Sequence, residues 1–283
     1  MKLLFVHGIN QDKKSSAQVE EEWVKAILET SIGDKIIENF QRQVPFYGDL
    51  LVEKKARKKG HPDYTQEELE FKNSIANEMA DYLLTQGDHK IKSSLESEYF
   101  ENGEERAKGF PHNPLFIKFA QAVEKVSPFR GEIAMRFLEQ AYLYYSDQNL
   151  RRNIDTLVAS AIEDAGECAL VSHSLGTVVS YRAAHHLGNK AKIKKFITLG
   201  SPLGLNSFRT QLGEDLYRPP GVSNWLNAHD PRDFVSMGIS LQKHYEHVDL
   251  EHLDVRNTDK DPHAISEDKG YLHDECILNW LLN

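Results

Sequence analysis

A serine stands where an apolar segment of the chain meets a helix-forming segment. Residues 168 to 171 predict a buried strand, residues 177 to 187 predict a helix, and the motif LVSHSLGT between them contains Ser174. A strand that turns abruptly into a helix strains its corner residue and holds that side chain clear of the backbone. Such a turn needs small neighbours, and Ser172 and Gly176 meet this need. The pattern therefore predicts Ser174 as a nucleophile that attacks a carbonyl carbon.

The serine motif departs from the pattern G-x-S-x-G at one position, where Ser172 replaces the first glycine. This replacement adds only a hydroxymethyl group, and we expect the turn to accommodate it. With this motif the chain resembles the α/β-hydrolase superfamily, on its serine esterase and lipase side. The resemblance covers most of the sequence outside residues 53 to 146. It implies an α/β-hydrolase fold in which the nucleophile, the acid and the histidine follow one another in that order along the chain.

Two aspartates are candidates for the acid. The segment WLNAHDPRDFV, residues 225 to 235, runs from a predicted strand into a loop that contains both of them. In the family that the chain resembles, such a strand is followed after a few residues by Asp-x-Val, which matches residues 233 to 235. The resemblance therefore implies Asp233 as the acid, with Asp230 as the alternative. We expect the aspartate that is not catalytic to cap the turn at Pro231.

The chain contains 13 histidines, and most of them are excluded as the base by their position. In the chain order that the resemblance implies, the base follows the acid. His263 lies in the loop before the closing helix and is the preferred base, and His273, inside that helix, is the alternative. His173 lies directly before the nucleophile, so its side chain is expected to point away from the Ser174 hydroxyl.

Further histidines lie near acidic residues in a segment that predicts a strand, residues 245 to 255. Strand alternation places Val248 and Leu250 inward. It places His247, Asp249 and Glu251 outward. We therefore favour a solvated face over a metal site here, and we expect neither a metal nor a cofactor.

The proposed residues have defined roles in ester hydrolysis. His263 would remove the proton of Ser174 as the serine oxygen attacks a carbonyl, and Asp233 would orient the imidazole. A small ester, a lipid ester such as a phospholipid, and an acyl thioester can all react in this way. The alternative from another class is a binding or regulatory module that keeps the fold without turnover.

The oxyanion that forms during attack needs N–H donors that are already in place. The resemblance implies the backbone amide of Leu175, the residue after the nucleophile, as one donor. The second donor is expected from the loop after the first strand, where a His-Gly pair precedes Ile9. Gly8 permits a close approach of the backbone, so the Ile9 amide is the preferred donor. His7 itself is expected to be structural.

Three residues are candidates for contact with the substrate: His173, Tyr47 and Leu203. Tyr47 lies in a turn after an extended segment, and Leu203 lies just after a predicted strand. The basic run of residues 54 to 59 could touch an anionic membrane surface, although a solvated helix face is favoured. The oligomeric state is left open.

The elements that must position these residues alternate between strands and helices. Residues 3 to 6, 36 to 47, 193 to 199 and 225 to 228 predict strands, and residues 17 to 30, 150 to 165 and 271 to 282 predict helices. This alternation predicts an α/β fold with a mostly parallel sheet covered by helices on both faces. Residues 53 to 146 interrupt the alternation. We interpret residues 1 to 283 as a single domain, with residues 53 to 146 as a largely helical inserted cap.

Composition excludes several other classes of protein. The formal net charge of −9 makes nucleic acid an unexpected partner. We find no apolar stretch that predicts a transmembrane helix and no apolar segment long enough for a signal peptide, and we therefore expect a cytoplasmic location. The two cysteines, Cys168 and Cys276, form neither a disulfide framework nor a zinc motif.

Overall fold

A six-stranded, entirely parallel sheet forms the centre of the computed structural model, which describes residues 1–51, 64–87, 89–98, 115–267 and 269–283. The order of the strands across the sheet is β2-β1-β3-β4-β5-β6. Their bounds are β1 Lys2–Val6, β2 Gln41–Gln43, β3 Glu167–His173, β4 Lys192–Leu199, β5 Val222–Ala228 and β6 Leu250–His252. The predicted α/β class is confirmed.

Helices connect the strands and flank the sheet. In the first half of the chain they are α1 Ser16–Leu28, α2 Gly33–Asn39, α3 Gln66–Gln86, α4 His89–Glu98, α5 Leu115–Val126 and α6 Pro128–Ser146. In the second half they are α7 Gln148–Ala165, α8 Leu175–Leu187, α9 Asn206–Leu212 and α10 Glu275–Leu282. None of the helices in the described ranges is both long enough and apolar enough to cross a membrane.

The buried apolar side chains of β1, β3, β4 and β5 are divided between two apolar layers, one on each face of the sheet. Leu4 and Val6 of β1 belong to the larger layer, which also contains residues of α7 and α8. Leu3 and Phe5 belong to the smaller layer with α1, α2 and α10. Burial on both faces explains why residues 3 to 6 of β1 and 168 to 171 of β3 are continuously apolar.

Helix α1 illustrates how the sequence builds the smaller layer. Ser15 caps its N-terminus by accepting a bond from the backbone N–H of Gln18, and the Gln18 side chain accepts one from the backbone N–H of Ser15. One face of the helix is apolar, and Trp23 on that face packs against Phe5 with 5.0 Å between ring centroids. The cap and the apolar face together determine where α1 begins and which side it buries.

The strands are in a register that aligns their carboxyl ends. Val6 pairs with Ser172, Ser172 with Thr198, Thr198 with Asn227, and Asn227 with Glu251. The loops that follow these strands therefore meet at one edge of the sheet. In parallel α/β sheets this edge is where ligands bind.

The described residues between β2 and β3 are mostly helical, as expected for residues 53 to 146. Helices α3, α5 and α6 contribute buried residues to the larger apolar layer, among them Met79, Phe116 and Phe137. The basic run of residues 54 to 59 lies outside the described residues.

Three of the predicted elements are wrong in extent. Residues 36 to 39 end helix α2, and the predicted strand is reduced to Gln41–Gln43, because Ile36 is buried as part of that helix. The predicted strand at 245 to 255 is reduced to Leu250–His252. The closing helix begins at Glu275, after a short 3-10 turn at Tyr271–His273.

The predicted faces of this segment are confirmed for Val248, which is buried, and for His247 and Asp249, which are exposed, but they are wrong at the next two positions. Leu250, expected inward, is 45% exposed. Glu251, expected outward, accepts bonds from the Ser240 hydroxyl and the Leu241 amide and 3.3 Å from the Asn227 side-chain amide. These partners hold the Glu251 carboxylate against the loop after β5, which alternation within one strand does not reveal.

Candidate active site

Ser174 occupies the corner between β3 and α8. Its φ of 54° and ψ of −133° match those of Gly188, so a residue with a side chain adopts a conformation suited to glycine. Strain of this kind costs about 1–3 kcal/mol and persists only where the surroundings enforce it. Here the Ser174 amide donates to the Leu199 carbonyl at 3.0 Å, and the Thr177 hydroxyl donates to the Ser174 carbonyl at 2.7 Å.

The Ser174 hydroxyl is completely buried and has no hydrogen-bond partner among the described residues. Ser172, two positions earlier, has a hydroxyl that lies 2.7 Å from that of Ser180 on α8. The extra oxygen at the first glycine position of the motif is therefore satisfied within the turn. A buried, unpartnered hydroxyl at a strained corner is free to bond to an incoming group.

Asp233 and His263 form a buried pair in the loops after β5 and β6. The Nδ1–H of His263 donates to Oδ2 of Asp233 at 2.8 Å. The same oxygen accepts a bond of 2.8 Å from the Tyr271 hydroxyl, and Oδ1 accepts one of 2.8 Å from the Val235 amide. The carboxylate therefore has three N–H or O–H donors, which compensate for its burial.

The two partners shift each other's pKa in opposite directions. Burial alone would raise the pKa of Asp233, but the charge and hydrogen bond of His263 outweigh it and hold that pKa below its usual value. Burial alone would lower the pKa of His263, but the charge and hydrogen bond of Asp233 raise it above the usual value. The pair therefore favours an ionised aspartate that can stabilise a histidine cation.

The backbone after β4 lies between the serine and this pair. Leu199 accepts the Ser174 amide, and a Cβ atom at the next residue, Gly200, would lie 2.7 Å from Asp233 Oδ2 and 3.0 Å from His263 Nδ1. The outer nitrogen of His263, Nε2, is buried without a partner, as is the Ser174 oxygen. No hydrogen bond joins these two atoms in the described structure. Bonds of this kind often form only with substrate present.

Asp230, the alternative acid, has different partners. Its carboxylate forms an ion pair with Arg232, with 2.6 Å to Nη2, and also accepts the Arg232 backbone amide at 2.8 Å. The latter bond closes the turn around Pro231. Asp230 is thus the aspartate that caps the turn, and His263 is paired with Asp233.

His173 lies against the histidine of the pair. Its Nε2–H donates to the His263 carbonyl at 2.9 Å, and the two ring centroids are 4.4 Å apart. Burial and the nearby His263 hold the pKa of His173 well below its usual value, so the ring is neutral. His173, a candidate substrate contact, therefore stabilises the loop that contains His263.

The loop after β1 passes directly over the serine. A Cβ atom at Gly8 would lie 2.5 Å from Ser174 Cβ and 3.1 Å from Ser174 Oγ. The amides of Ile9 and Leu175, the two expected oxyanion donors, have no acceptor among the described residues. Leu175 is the first residue of α8, where an amide has no acceptor within the helix.

His7 and Tyr47 hold the loop after β1 in place through hydrogen bonds to its backbone. His7 Nδ1–H donates to the Gly8 carbonyl at 2.9 Å, and Nε2 accepts the Tyr47 amide at 3.2 Å. The Tyr47 hydroxyl donates to the His7 carbonyl, and the two rings stack at 4.0 Å. Burial lowers the pKa of His7 to about 4, so its ring is neutral. Tyr47, a candidate substrate contact, is buried, and it bonds to and stacks on His7 of this loop.

The other candidates lie in less direct positions. Leu203 is fully buried, and its carbonyl accepts the Tyr245 hydroxyl at 2.8 Å. His273, the alternative base, bonds to Glu29 at 3.0 Å instead of to an aspartate of the β5 loop.

Within the described ranges of the chain, one group of side chains could hold a metal ion. Ligand atoms of His252, Asp274 and Cys276 lie within 4.8 Å of one another. Asp274 Oδ1 caps the N-terminus of α10, and Asp274 Oδ2 accepts a hydrogen bond of 2.9 Å from His252. The carboxylate of Asp274 therefore has partners within the protein. The hydrogen bond to Asp274 raises the pKa of His252.

Several neighbours of the pair carry no local sequence signal. Tyr271, expected only as the start of a helix, donates to Asp233. Tyr82 on α3 donates its hydroxyl to the Pro231 carbonyl, and Gln140 on α6 accepts the Asn10 amide at 3.3 Å. These contacts join residues far apart in sequence, so spacing could not reveal them.

The arrangement combines a buried hydroxyl, an imidazole–carboxylate pair and two free amides at one edge of a parallel sheet. Such a set can transfer an acyl group to serine and then to water. Compared with known proteins, the chain matches no family model and no curated protein.

Proposed function

We propose that this protein is a serine hydrolase that cleaves carboxylic ester bonds through an acyl-enzyme, on an α/β-hydrolase fold. One observation carries the proposal: Ser174 stands at a strained strand-to-helix corner with its hydroxyl buried and unpartnered, and the residue before it, His173, packs against His263 of the buried pair with Asp233. Strained backbone is tolerated where it serves function, and an ordinary core serine would have its hydroxyl bonded.

In the proposed reaction His263 Nε2 accepts the proton of the Ser174 hydroxyl as the serine oxygen bonds to the ester carbonyl carbon. The carbonyl oxygen becomes an oxyanion. His263 then gives the proton to the leaving alcohol, and the acyl group stays on Ser174. Water, deprotonated by the same nitrogen, then bonds to the acyl carbon; the bond from that carbon to the serine oxygen breaks, His263 returns the proton to the serine oxygen, and the acid leaves. Asp233 keeps the Nδ1 proton in place and stabilises the cation at each step.

The amides of Ile9 and Leu175 bind the oxyanion in this proposal. The support for Ile9 is the contact between Gly8 and Ser174, together with the bond from His7 to the Gly8 carbonyl. Because a trans peptide is planar, fixing that carbonyl on one side directs the Ile9 N–H to the other. One such donor typically changes the rate by about 10² to 10³-fold.

Helices α3 to α6 form the cap in this proposal. Its support is that α3 reaches the loop of the two aspartates through Tyr82, and that α6 reaches the Ser174 side of the sheet through Gln140 and Asn10. Cap residues that touch both loops are suited to select the acyl or alcohol part of the ester.

A fluorophosphonate probe, which phosphonylates activated serines, tests the proposal. Wild-type protein is expected to incorporate one probe per chain, and Ser174→Ala none. Ser172→Ala is the matched control, because it removes a neighbouring buried hydroxyl and should still be labelled. A folded wild-type protein that does not react, or a Ser174→Ala variant that reacts equally, would contradict the proposal. Turnover of p-nitrophenyl esters of rising chain length, then of phospholipids and acyl-CoA, would define the substrate.

A further inference from the structure

Asp230 has an unusually complete set of hydrogen-bond partners for a residue outside the pair. Its side chain is fully buried, and its carboxylate accepts bonds from the Arg232 backbone amide, from two Arg232 guanidinium nitrogens and from the Asn257 amide. The bond from Asn257 is 2.8 Å long. Arg232 Nη2 also donates a hydrogen bond of 2.8 Å to the Asn257 carbonyl. The backbone of Asn257 is therefore held at its N–H by Asp230 directly and at its C=O by Arg232, the ion-pair partner of Asp230.

The side chain of Asn257 in turn holds the loop of the proposed base. Its Nδ2 donates to the Pro262 carbonyl at 2.8 Å and to the Ala264 carbonyl at 3.3 Å. These are the two residues on either side of His263. Asn257 is 5% exposed, so water does not compete effectively for these bonds.

Asp230 also reaches the other partner of the pair. Its backbone N–H donates to the Tyr271 hydroxyl at 2.9 Å, and that hydroxyl donates to Asp233 Oδ2 at 2.8 Å. The Asp230 carbonyl accepts the Asp233 amide at 2.9 Å. One residue is thus connected to Asp233 through Tyr271 and to the His263 loop through Asn257.

We propose that Asp230 and Asn257 are positioning residues that jointly set the distance and angle between Asp233 and His263. The inference rests on the proposed function, because the pair matters for rate only if it acts on Ser174. Among the described residues no hydrogen bond joins Asp230 to the imidazole of His263, so Asp230 acts on the pair through Asn257 and Tyr271. A displacement of about 1 Å at a catalytic group can lower a rate by about 10²-fold, so losing this support should lower kcat.

Two variants test the contacts that run from Asp230 through Asn257 to the His263 loop. Asn257→Ala removes both bonds to the His263 loop, and Asp230→Asn removes the charge that holds Arg232 and the Asn257 backbone. We expect each to lower kcat by about 10-fold to 100-fold with KM changed less than about threefold. Because both substitutions interrupt the same chain of contacts, kcat of the double variant should be only slightly lower than kcat of the less active single variant.

Asp259→Asn is the matched control. Asp259 binds the same guanidinium through Arg232 Nη1, but its side chain is 96% exposed, and Arg232 is the partner of that side chain among the described residues. It should keep wild-type kcat. If it loses as much as Asp230→Asn, the effect belongs to Arg232 and the proposal is overturned.

A spectroscopic readout separates positioning from general destabilisation. The Nδ1–H proton of His263, bonded to a buried carboxylate, should give a proton NMR resonance at low field. In both single variants we expect this resonance to shift or broaden at temperatures well below Tm. Folded variants with an unchanged resonance and unchanged kcat would overturn the proposal, as would additive losses in the double variant.

The same resonance distinguishes failure of this inference from failure of the proposed function. If wild-type protein does not react with the fluorophosphonate probe, the proposed hydrolase function fails. The low-field resonance still reports whether Asp230 and Asn257 hold the pair together. If a variant does not fold at 25 °C, the milder Asn257→Ser, which keeps one hydroxyl donor, is measured in its place and should retain more kcat than Asn257→Ala.

Discussion

Replacing Gly8 with alanine should abolish most of the activity while leaving the fold intact. The new Cβ would lie 2.5 Å from Ser174 Cβ and 2.9 Å from the His173 carbonyl oxygen. Carbon atoms in contact normally lie about 3.5–4.0 Å apart, so the loop or the serine must move by about 1 Å or more. This movement takes the Ile9 amide away from the place where the oxyanion forms.

We expect kcat/KM and the rate of fluorophosphonate labelling to fall by about 10² to 10³-fold, the effect of losing one oxyanion donor. This loss corresponds to about 2.7–4 kcal/mol of transition-state stabilisation. Stopped-flow or gel-based labelling rates, with Tm measured in parallel, provide the assay.

Gly166→Ala is the control for Gly8→Ala. Gly166 has a φ of 66°, so alanine there is strained, but no atom lies within 4 Å of the new Cβ. This variant should lose stability, by about 1 kcal/mol, and keep its labelling rate. A folded Gly8→Ala protein that reacts within threefold of the wild-type rate would refute the reasoning about the loop.

Three other predictions follow from backbone strain and from charge. Ser174→Gly and Ser174→Ala should both resist labelling, but the glycine variant should be the more stable by about 1 kcal/mol in urea unfolding, because φ is 54° there; equal stabilities would remove the argument from strain. Because the pKa of His263 is raised and only the neutral ring accepts a proton, labelling should slow as pH falls through that pKa; a flat rate between pH 6 and 9 would contradict this role. The pKa of His252 is raised by its bond to Asp274, so the ion pair contributes stability below the unfolded value of about 6.5 and loses it as pH rises through the folded value. His252→Gln should therefore cost more at pH 6 than at pH 9, by about 0.5 kcal/mol for a partly exposed pair, and an equal cost at both pH values would exclude the ion pair as the cause.

The prediction of Ser174 from sequence used only local information. Ser174 is preceded by a buried apolar strand, flanked by small residues and followed by a helix. Each of these features can be recognised in the neighbouring sequence. The expectation of Asp233 with His263 came from the resemblance to the α/β-hydrolase superfamily, and the structure joins these two side chains by a hydrogen bond of 2.8 Å. In contrast, the inward Glu251 was missed, because its partners Ser240 and Leu241 come from a loop that folds back onto the strand.

The supporting residues could not be predicted in the same way. Tyr271 bonds to Asp233 across 38 positions, and Asn257 holds the loop of His263 by donating to backbone carbonyls. Neither bond depends on a particular spacing, and a tyrosine or an asparagine in a loop has many ordinary roles. Only the meeting of the loops after β5 and β6 gives these two side chains their partners.

The sequence by itself determined the alternation of strands and helices, and with it the parallel sheet and the strained corner at Ser174. These features depend on interactions within a few residues, which the order of apolar, small and polar side chains controls directly. The residues by themselves left two neighbouring aspartates open as partners of a histidine, and the tertiary structure decided between them. Asp230 and Asp233 lie in the same loop, but the fold brings Arg232 and Asn257 to the first and His263 to the second. Hydrogen bonds between distant segments depend on how the elements pack, and packing is a property of the whole chain.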